Sequence, residues 1–195
     1  MNAHESAGMS AIELLHTRES ATKLGDPAPG AADMESIFAA AVRAPDHGRL
    51  RPWRFIVIRG QAREAFGELM ASAMQARCPD TSPEGLARER AKALRAPLIA
   101  VVVAHVRDTA RIPEIEQVLS AGAAAQNIML AAHALGYGAM WKTGDPAYDD
   151  TVKAGLHLNA SDQIVGFLYL GTRTVRAAPG AARPKPQDFV TEWEG

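Results

Sequence analysis

The sequence PLIAVVVA at Pro97–Ala104 is a continuous apolar run, and it decides how the rest of the chain folds. Valine and isoleucine, which favour strands, supply half of it. A run that is apolar at every position predicts a β-strand covered on both faces. It is also far too short to cross a bilayer as a helix, which needs about 20 apolar residues. The chain must therefore supply packing layers on both sides of this strand.

Helical and strand patterns follow one another on either side of this run. Helices are predicted to begin near Ser10 and to cover 33–44, 61–77, 84–96, 113–135 and 146–155. Further strands, the first of them buried, are predicted at 54–60, 137–141 and 163–172. Ser10 and Asp33 are the expected N-caps of the first two helices, and Gly136 should end the long one. This order favours an α+β fold in which helices cover the faces of a mixed sheet.

Size and composition describe an ordinary globular protein. With 195 residues the chain suits one domain, which we place at 10–195 after a flexible tail at 1–9. The net charge of −1 indicates neither a nucleic-acid nor a membrane partner, so any basic site must be local. The single cysteine, Cys78, excludes an intrachain disulfide, and the N-terminus has no secretory signal. We therefore expect a cytoplasmic protein.

The most basic segment is the loop RAPDHGRLRPWR at Arg43–Arg54, directly before a predicted strand. Its prolines and glycine predict a fixed loop, and its cations suit a flat anionic ligand. His47 and the arginines could bind ring carbonyls, hydroxyls or a phosphate. The same residues are also consistent with a rigid surface loop in which Asp46 acts as a cap and Trp53 as an anchor.

Three short motifs could contribute to the same site. TRES at Thr17–Ser20 ends the first helix, and its arginine and hydroxyl would suit a phosphate. WKTG at Trp141–Gly144 follows a short strand, and its side chains could border a ring system. GTR at Gly171–Arg173 ends the last strand, a common place for ligand contacts. Each motif also has an ordinary explanation, a solvated helix end for TRES and a turn for the other two.

The long helix and the C-terminal arm point to a contact between subunits. Small residues dominate SAGAAAQNIMLAAHALG, so another helix can approach closely, but the segment adds little bulk to the chain's own core. The arm RAAPGAARPKPQDFVTEWEG is too rich in proline and glycine for regular structure, yet it carries Phe189, Val190 and Trp193. These apolar residues need a surface to cover, which could be a partner subunit or the chain's own domain.

Motifs of several other functional classes are absent from the sequence. The histidines have no HExxH spacing, no GxSxG elbow is present, and the cysteine forms no metal pattern. We therefore expect neither a bound metal nor a catalytic triad. The basic loop lacks interleaved aromatic residues, which argues against a nucleic-acid module.

Five segments occur in order over about residues 10–193: IELLHTRESATKL, AVRAPDHGRLRPWRFIVIRG, RAPLIAVVVA, SAGAAAQNIMLAAHALGYGAMWKTG and DQIVGFLYLGT. Together they resemble the FMN-dependent nitroreductase family, in particular its small bacterial branch of NAD(P)H nitroreductases of the YdjA type. The resemblance implies an intertwined α+β homodimer with FMN at the subunit interface. It also implies an oxidoreductase in which FMN takes hydride from NADH or NADPH and then reduces a nitroaromatic, quinone or related small molecule in a ping-pong cycle.

The resemblance further implies the residues of the site. It places three residues at the phosphate end of FMN, three along the cofactor and two in the loop of the partner subunit: Arg18, Glu19 and Ser20; Trp141, Lys142 and Thr143; Arg43 and His47. The segment 131–136 lies where the nicotinamide nucleotide would bind. Because the hydride chemistry belongs to FMN, no catalytic protein residue is expected.

Several positions depart from the family pattern. Glu19 stands where a second arginine is usual, so we expect it to contribute its backbone and to turn its carboxylate away from the phosphate. Thr22 replaces a basic residue. Arg49 and Arg51 replace amides that would bind the pyrimidine edge of the flavin, and cations there would stabilise a reduced, anionic flavin. These changes leave an alternative open, in which the protein binds flavin as a carrier or sensor without turnover.

Overall fold

The computed structural model describes residues 9–108, 111–175 and 183–195. Its helices are α1 (Ala11–Thr17), α2 (Ala31–Ala41), α3 (Ala62–Arg77), α4 (Pro83–Ala91), α5 (Glu114–Ala134) and α6 (Asp150–Gly155). Its strands are β1 (Leu24–Gly25), β2 (Trp53–Arg59), β3 (Leu98–Ala104), β4 (Gly138–Lys142) and β5 (Gln163–Arg173). Short 3-10 turns lie at His47–Arg49, Lys92–Leu94, Asp145–Tyr148 and Pro186–Asp188. The predicted N-terminal tail lies outside the described residues, except for Met9.

β5 is the strand on which the sheet is assembled. It pairs antiparallel with β3, with β4 and, through Thr172 and Arg173, with β1, while β2 pairs antiparallel with β3. The parallel component of the expected mixed sheet is, in the described residues, one bridge between Ser20 and Ala139. The prediction of an α+β fold with helices against a sheet is confirmed. In the described part of the chain, no helix has the length and apolar character needed to span a membrane.

β3 carries the core of the molecule, as its sequence predicts. All seven of its residues are buried, and alternate side chains face opposite sides of the sheet. Leu98 and Val102 pack with residues of α2 and α5, whereas Ile99 and Val103 pack with residues of α3 and α6. Burying one such side chain is worth about 1.5–3 kcal/mol. The prediction of a strand covered on both faces is confirmed.

Three details of the prediction are wrong. Asp33 does not cap α2, which begins at Ala31 after Gly30, because its carboxylate accepts a hydrogen bond from the Tyr137 hydroxyl at 2.7 Å. β2 was expected to be buried, but Ile58 is the one buried residue among its seven, since β2 pairs with β3 alone. The helix predicted to reach residue 96 ends at Ala91 and continues as a 3-10 turn.

Several large apolar side chains are exposed on the single chain. They belong to α1, to the first half of α5 and to the C-terminal arm: Ile12, Leu15, Ile115, Leu119, Phe189, Val190 and Trp193. Leu119 is 64% exposed and Trp193 is 90% exposed. The arm therefore does not bury its aromatic residues against the described part of its own chain, which was one of the two alternatives.

Candidate functional site

Two hydrogen bonds hold the basic loop at Arg43–Arg54 in place. Arg51 N donates to Asp46 Oδ2 at 2.7 Å, which closes the loop on itself. Ser120 Oγ, from a buried residue of α5, donates to Pro45 O at 2.6 Å and attaches the loop to the helix. Asp46 precedes the 3-10 turn at His47–Arg49 but makes no side-chain cap bond to it, so the interpretation of Asp46 as a cap is wrong: its carboxylate accepts from Arg51 N instead.

The side chains of this loop are exposed on the single chain. Arg43, His47, Arg49 and Arg51 all have more than a third of their surface accessible. Arg49 and Arg51 have φ angles of 55° and 49°, a left-handed conformation that costs a residue with a Cβ about 1–2 kcal/mol. His47 Nδ1 lies 2.6 Å from Glu116 Oε2, near the first turn of α5. The loop thus presents cations at the beginning of α5, in a strained but bonded conformation.

The TRES segment meets the strand that carries WKTG. Arg18 is the C-cap of α1, and Ser20 forms the parallel bridge to Ala139 in β4. Ala21 N then donates to Ala139 O at 2.9 Å. Trp141 and Lys142 follow two and three residues later in β4, and Thr143 comes just after the strand, so the sheet places the two predicted triplets near each other.

Arg173, the last residue of β5, lies beside TRES. Its Nη1 donates to Glu19 Oε1 in an ion pair, and its side chain is only a quarter exposed. A Cβ added to Gly138 would lie 2.6 Å from Arg173 Cγ, so the glycine leaves room for the arginine stem. The carboxylate of Glu19 is therefore already engaged by an arginine of its own chain.

The hydrogen-bond partners of His133, near the end of α5, fit a neutral ring. Thr17 Oγ1 donates its proton to Glu13 O at 2.7 Å, so it accepts from His133 Nε2, 3.1 Å away. His133 Nδ1 is then free to accept from Arg173 Nη2 at 3.5 Å. Burial, together with the charges of Arg173 and Arg18, lowers the pKa of His133 below its usual 6.5. We refer to Arg18, Glu19, His133 and Arg173 as the arginine cluster.

A recess of about 340 Å³ opens beside β4, next to the residues that follow TRES. A cavity of about 130 Å³ adjoins it and extends it to Thr143. Tyr169 lines both and is 4% exposed, and burial raises the pKa of its hydroxyl. The larger cavity, which we call the β4 recess, is lined by Ala21, Thr22, Leu24, Arg95, Met140, Lys142 and Tyr169. It combines an apolar floor with two cations.

The indole of Trp141 packs against the opposite face of β4. Its Nε1 donates to Val165 O at 3.2 Å, and a Cβ on Gly166 would lie 2.1 Å from that nitrogen. Adjacent residues of a strand face opposite sides, so Lys142 faces the recess when Trp141 does not. Of the predicted triplet, Lys142 and Thr143 line the cavities, whereas the indole of Trp141 faces the other side of the sheet.

The predicted residues fall into two groups at opposite ends of α5. Glu116, which holds His47, and His133, which joins the arginine cluster, are 17 residues apart on this helix. At a rise of about 1.5 Å per residue, that is about 25 Å. Within one chain, His47 is therefore separated from Arg18–Ser20. Arg43 belongs to the same loop but lies closer to the middle of α5, since Ala40 O accepts from Asn127 Nδ2 and Pro45 O accepts from Ser120 Oγ. The structure does not bring all the predicted residues into one site.

Some residues of the site have no local signal in the sequence. Arg173 could be noticed only because GTR ends a strand. Arg183, whose Nη2 donates to Arg18 O at 3.3 Å, lies in an arm with no regular pattern. Arg95 lies after a charged helix, where a solvated cation is the ordinary expectation. Only the folded sheet shows that these three arginines converge on TRES and β4.

Comparisons with known proteins identify the family of the chain. The family model described as "Nitroreductase family" matches residues 15–172. The Escherichia coli K12 protein named "Putative NAD(P)H nitroreductase YdjA" is 38% identical over 183 residues, which cover 94% of this chain and 99% of that one. A nitroreductase-like family protein from Bacillus cereus superposes over the whole of both chains, with a TM-score of 0.80 and 24% identity. A Desulfovibrio desulfuricans protein crystallised with FMN gives a TM-score of 0.68 and 23% identity, covering 93% of this chain and 95% of that one.

These findings confirm the resemblance seen in the sequence. The family model covers well over half of the chain, and the Escherichia coli relative aligns with nearly all of it. The similarity of fold to the Bacillus cereus protein extends from end to end. The chain therefore belongs to the nitroreductase family of oxidoreductases.

Proposed function

We propose that the protein is an FMN-dependent NAD(P)H oxidoreductase that reduces nitroaromatic, quinone or related acceptors in a ping-pong cycle. Family membership supports the reaction class, and the relative crystallised with FMN supports the cofactor. The observation that carries the proposal is the position of the arginine cluster beside the β4 recess, which offers a site for a phosphate next to a site for a ring. When bound, FMN supplies the electron transfer.

The residues present fit this cofactor. Arg18 and Arg173 provide guanidinium groups, the preferred partners of phosphate. The recess offers Met140 and the buried ring of Tyr169 as apolar surface, and Lys142 as a cation that would stabilise negative charge on the reduced flavin. The role of these residues is to bind and orient the cofactor and to exclude water from one of its faces.

We propose that a second copy of the chain completes the site. His47 contacts α5 at Glu116, about 25 Å along the helix from His133, and on this separation we infer that His47 and Arg43 of its loop serve the cofactor of a neighbour. The exposed apolar side chains of α1, of the first half of α5 and of the arm support this proposal, because a partner subunit could cover them. Residues 10–195 would then form one FMN-binding unit of a homodimer, in which the basic loop of each subunit closes the site of the other.

A spectroscopic experiment tests this function. The purified protein, loaded with FMN if necessary, should show a flavin spectrum that bleaches when NADH or NADPH is added without oxygen. Reoxidation by a nitroaromatic or a quinone should then restore the spectrum. Bound flavin that stays oxidised would support the alternative of a non-catalytic carrier or sensor. A protein that cannot be loaded with flavin contradicts both.

A further inference from the structure

Glu19 occupies a guanidinium that the phosphate of FMN would use. Its carboxylate forms an ion pair with Arg173 Nη1, and both side chains are partly buried, 38% and 25% exposed. His133 takes the second terminal nitrogen of the same guanidinium, at 3.5 Å. Both terminal nitrogens of Arg173, which could donate to a phosphate, thus already contact residues of the same chain.

The arrangement holds Arg173 firmly before any ligand arrives. The stem of Arg173 lies in the space left by Gly138, and its head lies between Glu19 and the neutral ring of His133. A neutral histidine adds no charge, so the net charge of the arginine cluster is that of two arginines less one carboxylate. A phosphate monoester carries a charge of about −1.5 to −2 at neutral pH, and it would meet that carboxylate at close range.

We propose that Glu19 is an internal competitor for Arg173 and weakens the binding of the FMN phosphate. This inference rests on the proposed function. The phosphate must displace Glu19 from Arg173 or share the guanidinium with it, and in both cases one favourable charge contact is lost or opposed. The phosphate should therefore bind more weakly than it would to Arg18 and Arg173 without the carboxylate of Glu19. The carboxylate should not affect binding of the flavin ring.

The test compares FMN with riboflavin, which has the same ring and ribityl chain but no phosphate. Glu19→Gln keeps the size of the side chain and an oxygen that can accept from Arg173, and it removes the charge. We expect this variant to bind FMN about tenfold more tightly, because the repulsion between two like charges a few ångströms apart at a half-exposed site weakens binding by about this factor. Its dissociation constant for riboflavin should change by less than about twofold. Both constants are measured by quenching of flavin fluorescence, independently of turnover.

Two further variants separate competition from other effects. Glu13→Gln makes the same charge change in the first turn of α1 and should leave the ratio of FMN to riboflavin affinity unchanged. In an Arg173→Gln background, Glu19→Gln should give much less than its gain in the native chain, because there is no guanidinium to release. A full gain in that background would show a general charge effect and overturn the proposed competition.

The flavin affinities also distinguish failure of this inference from failure of the proposed function. An unchanged ratio of FMN to riboflavin affinity in Glu19→Gln overturns the inference while leaving the proposed function intact. Weaker FMN binding by this variant also overturns it, because Glu19 would then orient Arg173 for the phosphate. If the native protein binds neither flavin, the proposed function itself fails.

Discussion

The two ends of α5 are built in different ways. At its end, His133 joins Thr17, Arg173 and Glu19 in a set of contacts that one chain completes alone. At its beginning, the basic loop is attached to the helix, but its cations remain exposed and two of its arginines are held in a strained conformation. The first arrangement resembles a finished binding site, and the second resembles half of one. The difference is consistent with the proposal that the loop serves a ligand held by another subunit.

The largest effect should come from removing the contact between subunits. Leu119 is 64% exposed on α5, so Leu119→Asp should leave the fold of the single chain intact. In a dimer it would bury an unpaired carboxylate in each subunit, at a cost of several kcal/mol. We expect a folded monomer by analytical ultracentrifugation, with FMN binding largely lost because the loop of the partner is absent. Tyr148→Asp, which also places a charge on an exposed apolar residue but lies next to α6, should remain dimeric. A Leu119→Asp dimer that binds FMN normally contradicts the proposed interface.

Two variants test which subunit's cofactor each end of α5 serves. Arg173→Gln removes a charged hydrogen-bond donor from the phosphate end, and His47→Ala removes a contact from the loop. Charged hydrogen bonds are worth about 1.5–3 kcal/mol, so each variant alone should bind FMN about 10–100-fold more weakly. Co-expression of the two variants should produce mixed dimers in which one site has both native residues. We therefore expect native FMN affinity to return at up to one site per mixed dimer, measured by flavin fluorescence after purification with two tags.

If the two residues belonged to one site within a single chain, no mixed dimer would contain an intact site. The absence of any high-affinity site in the mixed dimers would therefore refute the shared arrangement. Mixed dimers made from two differently tagged copies of Arg173→Gln serve as the control, because they should show no recovery.

A smaller effect is expected on the potential of the flavin. If Arg49 and Arg51 of the loop lie near the flavin, they stabilise its reduced, anionic form. Arg49→Ala and Arg51→Ala should then each lower the midpoint potential of bound FMN by about 20–30 mV, the equivalent of about 1 kcal/mol for a two-electron couple. Arg59→Ala makes the same charge change at the end of β2 and should have no effect. Midpoints that do not move in a redox titration would place the two arginines away from the flavin.

The smallest effect concerns His133 in the protein without FMN. Its pKa, followed by NMR, should lie below 6.5, and Arg173→Gln should raise it because a repelling charge is removed. Since the pKa is lower in the folded than in the unfolded chain, the stabilisation is complete above about pH 6.5 and is lost as pH falls towards the folded value. A pKa at or above 6.5 would contradict the neutral tautomer that links Thr17 to Arg173.

The sequence predicted best what depends on neighbouring residues. The apolar run of β3, the N-cap at Ser10 and the glycine that ends α5 are local patterns, and the structure confirms each. It predicted less well what depends on distant contacts. Asp33 was predicted to cap a helix, but its carboxylate accepts a hydrogen bond from Tyr137, a residue distant in the sequence.

The candidate site shows the same limit. TRES and WKTG were found as short motifs, and the structure brings them together through the bridge between Ser20 and Ala139. The partner of Glu19 could not be predicted, because Arg173 reaches it only after β5 has joined the sheet. The sequence also could not show that α5 separates the basic loop from the arginine cluster.

The helix α5 has a further consequence for how this protein can change. One residue added to an α-helix moves everything beyond it by about 1.5 Å and turns it by about 100°. A residue added near Gly122 would leave Glu116 facing His47 but would turn His133 away from Thr17. The helix is thus an angular spacer as well as a linear one. Any change in its length therefore displaces His133 from Thr17 and Arg173 by translation, by rotation or by both, so insertions in α5 are constrained.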